Sequence, residues 1–129
     1  MIDFLGYEMK SQIESKKGIQ ELVERLIEDG NPVIVEGKKD KRALRYFGLR
    51  NIVVLDRPLY AVVEKVSKTA DACAILTDLD QEGKFLFGKL NHQLQKQGVR
   101  IDNKLRNFLF RHTQLRQIEG LDRYLERIG

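Results

Sequence analysis

The chain has 129 residues, of which 42% are hydrophobic and 33% are charged, and only two are prolines; this composition excludes a disordered chain and favours one compact domain. A single cysteine excludes an intramolecular disulfide and a thiolate zinc site, and it fits a reducing compartment. No stretch approaches the ~20 apolar residues needed to cross a bilayer, and the first residues lack the pattern of a signal peptide, so we expect a cytoplasmic protein without membrane association.

Positive charge is concentrated in the last third of the chain. The formal net charge is +4, but residues 84–129 contain 10 basic and 4 acidic residues. A second basic cluster surrounds Lys38, Lys39 and Arg42. Such surfaces attract polyanions, and phosphate contacts are the largest sequence-independent contribution to nucleic-acid affinity. A solvated helix face is the commoner explanation for either cluster taken alone, so charge by itself leaves both a nucleic-acid partner and a plain surface open.

Apolar residues recur at helical spacing in the first thirty residues, with a capping box at Ser11 and Glu14 and a stop at Gly30. Short runs of apolar, β-branched residues then predict strands at 32–36, 51–55, 71–77 and 99–101. The segments between these strands have helical patterns, and two more helices are predicted after the fourth, edge strand. Strands that alternate with helices predict an α/β domain with a parallel sheet of about four strands and helices on both faces.

Acidic residues follow two of these strands. Glu36 closes the first strand, Asp78 closes the third, and Asp80 and Glu82 come next at alternate positions. The ligand crevice of an open parallel sheet lies beyond the carboxyl ends of its strands, so we expect these acids at one rim. Converging carboxylates repel one another unless a cation neutralises them, and this oxygen donor set suits Mg²⁺, with Mn²⁺ as an alternative. The alternative for any single acid is a helix N-cap, which Asp80 is placed to supply.

Four other residues have simpler interpretations. Cys73 lies in the third strand and is expected to be a core residue rather than a nucleophile. Asp56 ends the second strand, and we expect it to cap the following helix rather than to join the other acids. Phe108 and Phe110 cannot share one helix face, so core packing is expected, and stacking on a base is the alternative for one of them.

Two segments carry a family resemblance. Residues 35–38 read VEGK, with Asp40 shortly after, and residues 76–83 read LTDLDQEG. Together they resemble the Toprim domain, which is shared by topoisomerases, bacterial-type primases, OLD-family nucleases, recombination-repair proteins and a ribonuclease that matures ribosomal RNA. The resemblance implies one Toprim-like, Rossmann-like domain. Its parts are an N-terminal helical segment at 1–30, the core at 31–102 and a basic helical extension at 103–129.

The resemblance also implies roles for the acids. Glu36 takes the place of the family's glutamate, which acts as general acid or base, and Asp78 and Asp80 take the places of its metal-binding aspartates. Glu82 matches a third metal-binding acid that only some branches contain. The implied cofactor is Mg²⁺. From their charge, the residues expected to hold a nucleic-acid backbone are Lys38, Lys39, Arg42, Arg106 and Arg111.

Two functions of different classes remain open. The first is a metal-dependent phosphodiesterase acting on RNA or DNA, in which the ion at Asp78 and Asp80 polarises a phosphate and Glu36 moves a proton. The second is a non-catalytic nucleic-acid-binding or scaffold module that works with a larger protein partner. Topoisomerase and primase activities are not expected, because one small domain lacks the strand-passage gate of the former and the zinc-binding and polymerising modules of the latter.

Overall fold

The computed structural model describes residues 4–128, and it describes side chains for residues 10–126. The elements in chain order are α1 (Phe4–Asp29), β1 (Val33–Val35), α2 (Lys38–Tyr46), β2 (Ile52–Val54), α3 (Leu59–Thr69), β3 (Ala72–Ile75), α4 (Gln81–Lys96), β4 (Arg100–Asp102), α5 (Lys104–His112), a 3-10 turn (Ile118–Gly120) and α6 (Leu121–Ile128). No helix in this part of the chain is both long and apolar enough to span a membrane.

The four strands form one parallel sheet in the order β2-β1-β3-β4. Val33 of β1 pairs with Ile52 on one side and with Ala74 on the other. The chain therefore passes from β1 outward to β2 in one direction and continues through β3 and β4 in the other. The boundary between β1 and β3 is the topological switch point, where α/β sheets of this kind bind ligands. The predicted α/β fold, with its parallel sheet and β4 at the edge, is confirmed.

Hydrophobic layers cover both faces of the sheet. Successive strand residues point to opposite faces, so Val33 and Val35 pack in a layer with α1, α2, α5 and α6, whereas Ile34 packs with α3 and α4. Cys73 lies in this second layer and is fully buried, as predicted for a core residue. Burial raises the pKa of its thiol to about 11, which keeps the sulfur protonated at neutral pH.

Two predicted helix caps are wrong. Ser11 lies inside α1, because the preceding residues contain no proline and continue the helix back to Phe4. Asp56 does not cap α3, because Pro58 occupies the N-cap position with φ of −55° and leaves Asp56 outside the first turn. The Asp56 carboxylate is exposed instead and accepts a hydrogen bond from Arg57 Nε at 3.3 Å.

Candidate active site

Glu36 and Asp78 meet at the switch point of the sheet. Glu36 directly follows β1, and Asp78 lies in the loop between β3 and α4. The backbone N–H of Asp78 donates a hydrogen bond to Glu36 Oε1 over 3.1 Å. The structure thus brings together two acids that lie 42 positions apart in the sequence. Their contact follows from the neighbouring positions of β1 and β3 in the sheet.

The segment after α5 holds the loop that carries Asp78. The N–H of Ile118 donates to Asp78 Oδ1 at 2.9 Å, and the N–H of Leu79 donates to the carbonyl oxygen of Arg116 at 2.7 Å. The bond from Ile118 fixes one oxygen of Asp78, just as the Asp78 N–H fixes one oxygen of Glu36, and the bond from Leu79 ties the loop to the segment after α5. Within residues 10–126, the second oxygen of each carboxylate has no hydrogen-bond donor.

Asp80 and Glu82 have different surroundings from these two acids. Asp80 is the N-cap of α4, and its Oδ1 accepts a hydrogen bond from the N–H of Gly83 at 2.8 Å. Glu82 is exposed in the first turn of α4 and lines a surface cleft of about 690 Å³ with Asp80 and Phe85. Glu36 and Asp78 line a separate cleft, but the charge of Asp80 acts on both of them, so Glu82 is the one of the four acids that stands apart.

Two further acids, Asp40 and Glu119, line the cleft that contains Glu36 and Asp78. This cleft has a volume of about 440 Å³. Asp40 is only 6% exposed, and its Oδ2 accepts a hydrogen bond from the N–H of Gly37 at 2.9 Å. Glu119 reaches the cleft from the 3-10 turn. The sequence placed Asp40 within a motif but carried no signal for Glu119, because the position of Glu119 depends on how the chain returns after α5.

Burial raises the pKa values of Glu36, Asp40 and Asp78 above their ordinary range. Desolvation is the largest cause, and repulsion between carboxylates adds to it. The negative charges of Asp78 and Asp80 raise the pKa of Glu36. The negative charge of Glu119 raises the pKa values of Asp40 and Asp78. Carboxylates in such surroundings favour either protonation or a nearby cation.

The acidic oxygens of the site fit Mg²⁺. This ion usually takes one or two protein carboxylates and keeps several waters, and Asp78 and Asp80 each offer an oxygen that no described donor occupies. No three aspartate, glutamate, histidine or cysteine side chains form a ready metal-binding group among the residues the structure describes. An ion held only by Asp78 and Asp80 would therefore keep most of its water molecules.

Arg106 lies behind the acids and not on the predicted nucleic-acid surface. Its side chain is only 6% exposed, and it donates hydrogen bonds to the carbonyl oxygens of Thr77 and Asp78 and to Thr77 Oγ1. The guanidinium also stacks 4.6 Å from the centre of the Phe87 ring. Its positive charge opposes the rise in the pKa of Asp78. Arg106 is therefore a support for the loop and is not available to bind phosphate.

The other predicted nucleic-acid contacts are exposed. Lys38 and Lys39 stand at the start of α2 and line the cleft that contains Glu36. Arg42 follows on the same helix and lines an adjoining groove of about 510 Å³, which Lys39 and Arg123 also border. Arg111 is exposed in the last turn of α5 and borders neither opening. Cationic side chains thus flank the acidic cleft on its α2 side.

The fold and the acids at its switch point define a Rossmann-like α/β protein with a candidate site at the carboxyl edge of the sheet. A UPF0292 protein of Methanocaldococcus jannaschii is 30% identical over 101 residues, which cover 74% of this chain and 79% of the relative. A UPF0292 protein of Pyrococcus horikoshii is 32% identical over 111 residues, covering 85% and 83%. The chain belongs to the UPF0292 family.

A solved structure of a protein from Aquifex aeolicus has the same fold. It superposes with a TM-score of 0.72 at 30% sequence identity, over 78% of this chain and 95% of the Aquifex chain. No protein-family model matches the chain.

Proposed function

We propose that this protein is a Toprim-like, Mg²⁺-dependent enzyme that acts on nucleic-acid phosphodiesters. The observation that carries the proposal is the contact between Glu36 and Asp78 across the switch point of the sheet. The motifs at 35–38 and 76–83 support it, because they supply acids at the ends of β1 and β3, where a ligand is expected.

In this proposal, Asp78 and Asp80 hold the ion through the oxygens that their backbone hydrogen bonds leave open. Mg²⁺ bound there would polarise the scissile phosphate and neutralise the charge that develops during cleavage. The hydrogen bond from Ile118 keeps Asp78 oriented before any ligand arrives. Orientation in advance reduces the reorganisation that the reaction requires. Glu82 is the weaker candidate for a ligand, because it is exposed on α4, whereas the charge of Asp80 acts on both Glu36 and Asp78.

Glu36 is the candidate general acid or base. Its Oε1 is held by the Asp78 N–H, so Oε2 is the atom that would take a proton from water or give one to the leaving oxygen. Burial and the neighbouring carboxylates raise the pKa of Glu36, which moves it toward the range where a glutamate exchanges protons near neutral pH. Lys38, Lys39 and Arg42 would hold the phosphates on either side of the scissile bond.

Cleavage assays test the proposal. Structured RNA, single-stranded DNA and duplex DNA are each incubated with the protein in Mg²⁺, Mn²⁺ or chelator. We expect cleavage only with a divalent ion, and we expect Glu36→Gln and Asp78→Asn to lose about 100-fold or more in rate. Asp71→Asn is the matched control, because Asp71 is an exposed aspartate directly before β3, at the amino ends of the strands and away from the candidate site.

Equal rates for the parent and for both variants would contradict the proposal. Salt-sensitive binding of nucleic acid without cleavage would instead favour a non-catalytic binding or scaffold module that works with a protein partner. The two results differ in whether any substrate is converted, so one set of reactions separates them.

A further inference from the structure

Two phenylalanine rings stand exposed near the candidate site. Phe85 on α4 is 62% exposed, and Phe110 on α5 is 47% exposed. Phe108 is different, because its ring packs against Gly18 of α1 and joins the hydrophobic layer on that face. A single exposed apolar side chain is ordinary. Phe85 and Phe110 differ from ordinary exposed apolar side chains in the charged residues that surround them.

Each exposed ring has cations against it. The Lys84 Nζ lies 4.6 Å and the Arg116 guanidinium 5.7 Å from the centre of the Phe110 ring. The Lys89 Nζ lies 4.7 Å from the centre of the Phe85 ring. Within residues 10–126, none of these three cations forms a salt bridge with a carboxylate. The surface therefore combines aromatic faces with positive charges that no described acid neutralises by direct contact.

The two residues whose cations lie over Phe110, Lys84 and Arg116, are hydrogen-bonded to the loop that carries the acids. The N–H of Lys84 donates to the carbonyl oxygen of Asp80 at 2.9 Å, and the carbonyl oxygen of Arg116 accepts from the N–H of Leu79 at 2.7 Å. Phe85 lines the cleft that Asp80 also borders. A ligand that extends from the candidate site over the start of α4 would therefore meet these rings.

We propose that Phe110 and Phe85 are stacking sites for the bases of a single-stranded nucleic acid, with Lys84, Arg116 and Lys89 binding its phosphates. A nucleotide combines a flat π-face with a negative charge, so its phosphate can draw the cation away from the ring while its base stacks in the cation's place. Charge complementarity supports this occupant, because residues 84–118 contain seven exposed basic residues, apart from the buried Arg106, and one acid. The bases of a duplex are already stacked on each other, so the rings select single strands. This inference rests on the nucleic-acid substrate proposed above and specifies its strandedness.

A fluorescent variant tests base stacking directly. The chain contains no tryptophan, so Phe110→Trp introduces one emitter at the proposed site. Titration of this variant with a short oligothymidylate, in chelator to prevent cleavage, is expected to quench the emission. Tyr60→Trp is the matched control, because Tyr60 is 70% exposed and lies beside the C-terminal half of α4. Its emission is expected to stay constant.

Affinity measurements make the test quantitative. Phe110→Leu keeps an apolar side chain but removes the π-face, and we expect it to weaken oligothymidylate binding about tenfold. Its affinity for a duplex of the same length is expected to stay within about twofold of the parent, which also shows that the variant folds. Tyr46→Leu removes another exposed aromatic, at the end of α2, and should leave both affinities unchanged.

Unchanged binding of oligothymidylate by Phe110→Leu, or no quenching of Phe110→Trp, overturns the stacking inference without affecting the cleavage proposal. If the parent protein cleaves duplexes but does not bind oligothymidylate, the stacking inference is also overturned and the cleavage proposal stands. Conversely, stacking in a protein that never cleaves supports this inference and removes the catalytic proposal. Concentration-dependent self-association that Phe110→Leu abolishes, with oligothymidylate binding unchanged, would identify the rings as a protein interface and overturn the inference.

Discussion

The guanidinium of Arg106 joins α5 to the end of β3 from the buried side of the acidic site. It satisfies the carbonyl oxygens of Thr77 and Asp78, which no strand partner occupies at this point of the loop. A planar fork of donors can reach both carbonyls at once, and a lysine cannot do so in the same geometry. Desolvation lowers the pKa of Arg106, and the acids nearby oppose this effect, so the charge is retained.

Arg106→Met should therefore destabilise the protein. The substitution keeps the apolar stem beside Phe87 but removes the donors to the buried carbonyl oxygen of Thr77 and the part-buried carbonyl oxygen of Asp78, which costs about 2–3 kcal/mol. Urea unfolding of the parent, Arg106→Met and Arg106→Lys measures the effect, and the lysine variant is expected to lie between the other two. An unfolding midpoint for Arg106→Met equal to that of the parent would contradict this role.

Asp40 is the most buried acid at the cleft, and its effect on stability depends on pH. Desolvation, followed by repulsion from Asp78 and Glu119, raises the pKa of Asp40 above its ordinary value of 3.8. The unfolded chain therefore loses this proton at a lower pH than the folded chain does. The stabilising contribution of protonated Asp40 is full below about pH 3.8 and is lost as the pH rises through the folded-state pKa.

Asp40→Asn should thus gain stability relative to the parent as the pH rises from 4 to 7. Asparagine keeps an oxygen that accepts the Gly37 N–H but carries no charge. Urea unfolding at both pH values, with chelator present, measures the difference between the two proteins. A difference that is the same at pH 4 and pH 7 would show that Asp40 does not titrate differently in the folded state.

At the scale of elements, the start of α4 serves two purposes. Asp80 caps the helix through Gly83, and the opposite oxygen of Asp80 is a candidate metal ligand. Asparagine caps a helix about as well as aspartate does, whereas alanine cannot cap. The two substitutions therefore separate the structural purpose from the chemical one.

We expect Asp80→Ala to lose about 1 kcal/mol of stability and Asp80→Asn to stay within a few tenths of the parent. Both variants should lose divalent-dependent cleavage. Thermal unfolding and the cleavage assay, applied to both, measure the two effects. Full cleavage by Asp80→Asn would assign Asp80 to the cap alone.

The loop before α4 is closed so tightly that residue 83 must be glycine. A Cβ at Gly83 would overlap the carbonyl of Asp78, and Thr77 Oγ1 donates to the carbonyl oxygen of Gly83 at 2.7 Å. Gly88 lies in the same helix, and apart from its chain neighbours and the nearby backbone of that helix, no described atom would come within 4 Å of a Cβ there. The two glycines thus form a matched pair.

Gly83→Ala should destabilise the protein by about 1–3 kcal/mol, because the loop must shift to admit the methyl group. Gly88→Ala should stabilise it by up to about 1 kcal/mol, because alanine has the higher helix propensity. Chemical denaturation of both variants tests this difference in sign. Stabilisation by both substitutions would show that the Asp78 carbonyl can move away without cost.

On the scale of the whole molecule, folding brings carboxylates from three distant parts of the chain to one edge of the sheet. Glu36, Asp78 and Glu119 come from the ends of β1 and β3 and from the 3-10 turn. Their mutual repulsion opposes folding, and a cation that binds only the folded form offsets it.

Mg²⁺ should therefore raise the melting temperature of the parent. At ten times its dissociation constant, an ion that binds one site on the folded form adds about 1.4 kcal/mol. Differential scanning fluorimetry in Mg²⁺ and in chelator measures the shift, with Asp78→Asn as the variant expected to lose it. An equal shift in both proteins would place the ion elsewhere.

The alternation of strands and helices, the burial of Cys73 and the acids after β1 and β3 were all predictable from the sequence. These features depend on local periodicity and on the types of neighbouring residues, both of which can be read along the chain. The helix caps at Ser11 and Asp56 were predicted wrongly, because element boundaries depend on interactions that local patterns describe poorly.

Four features depend on tertiary packing: the strand order, the burial of Arg106, the position of Glu119 at the acidic cleft and the exposure of Phe110. Each of these depends on which distant segments pack together, and residues of one type have the same local pattern whether they end up buried or exposed. Local sequence patterns thus specify which chemical groups the protein carries and the fold class that holds them. Packing decided which of those groups face one another and which face solvent.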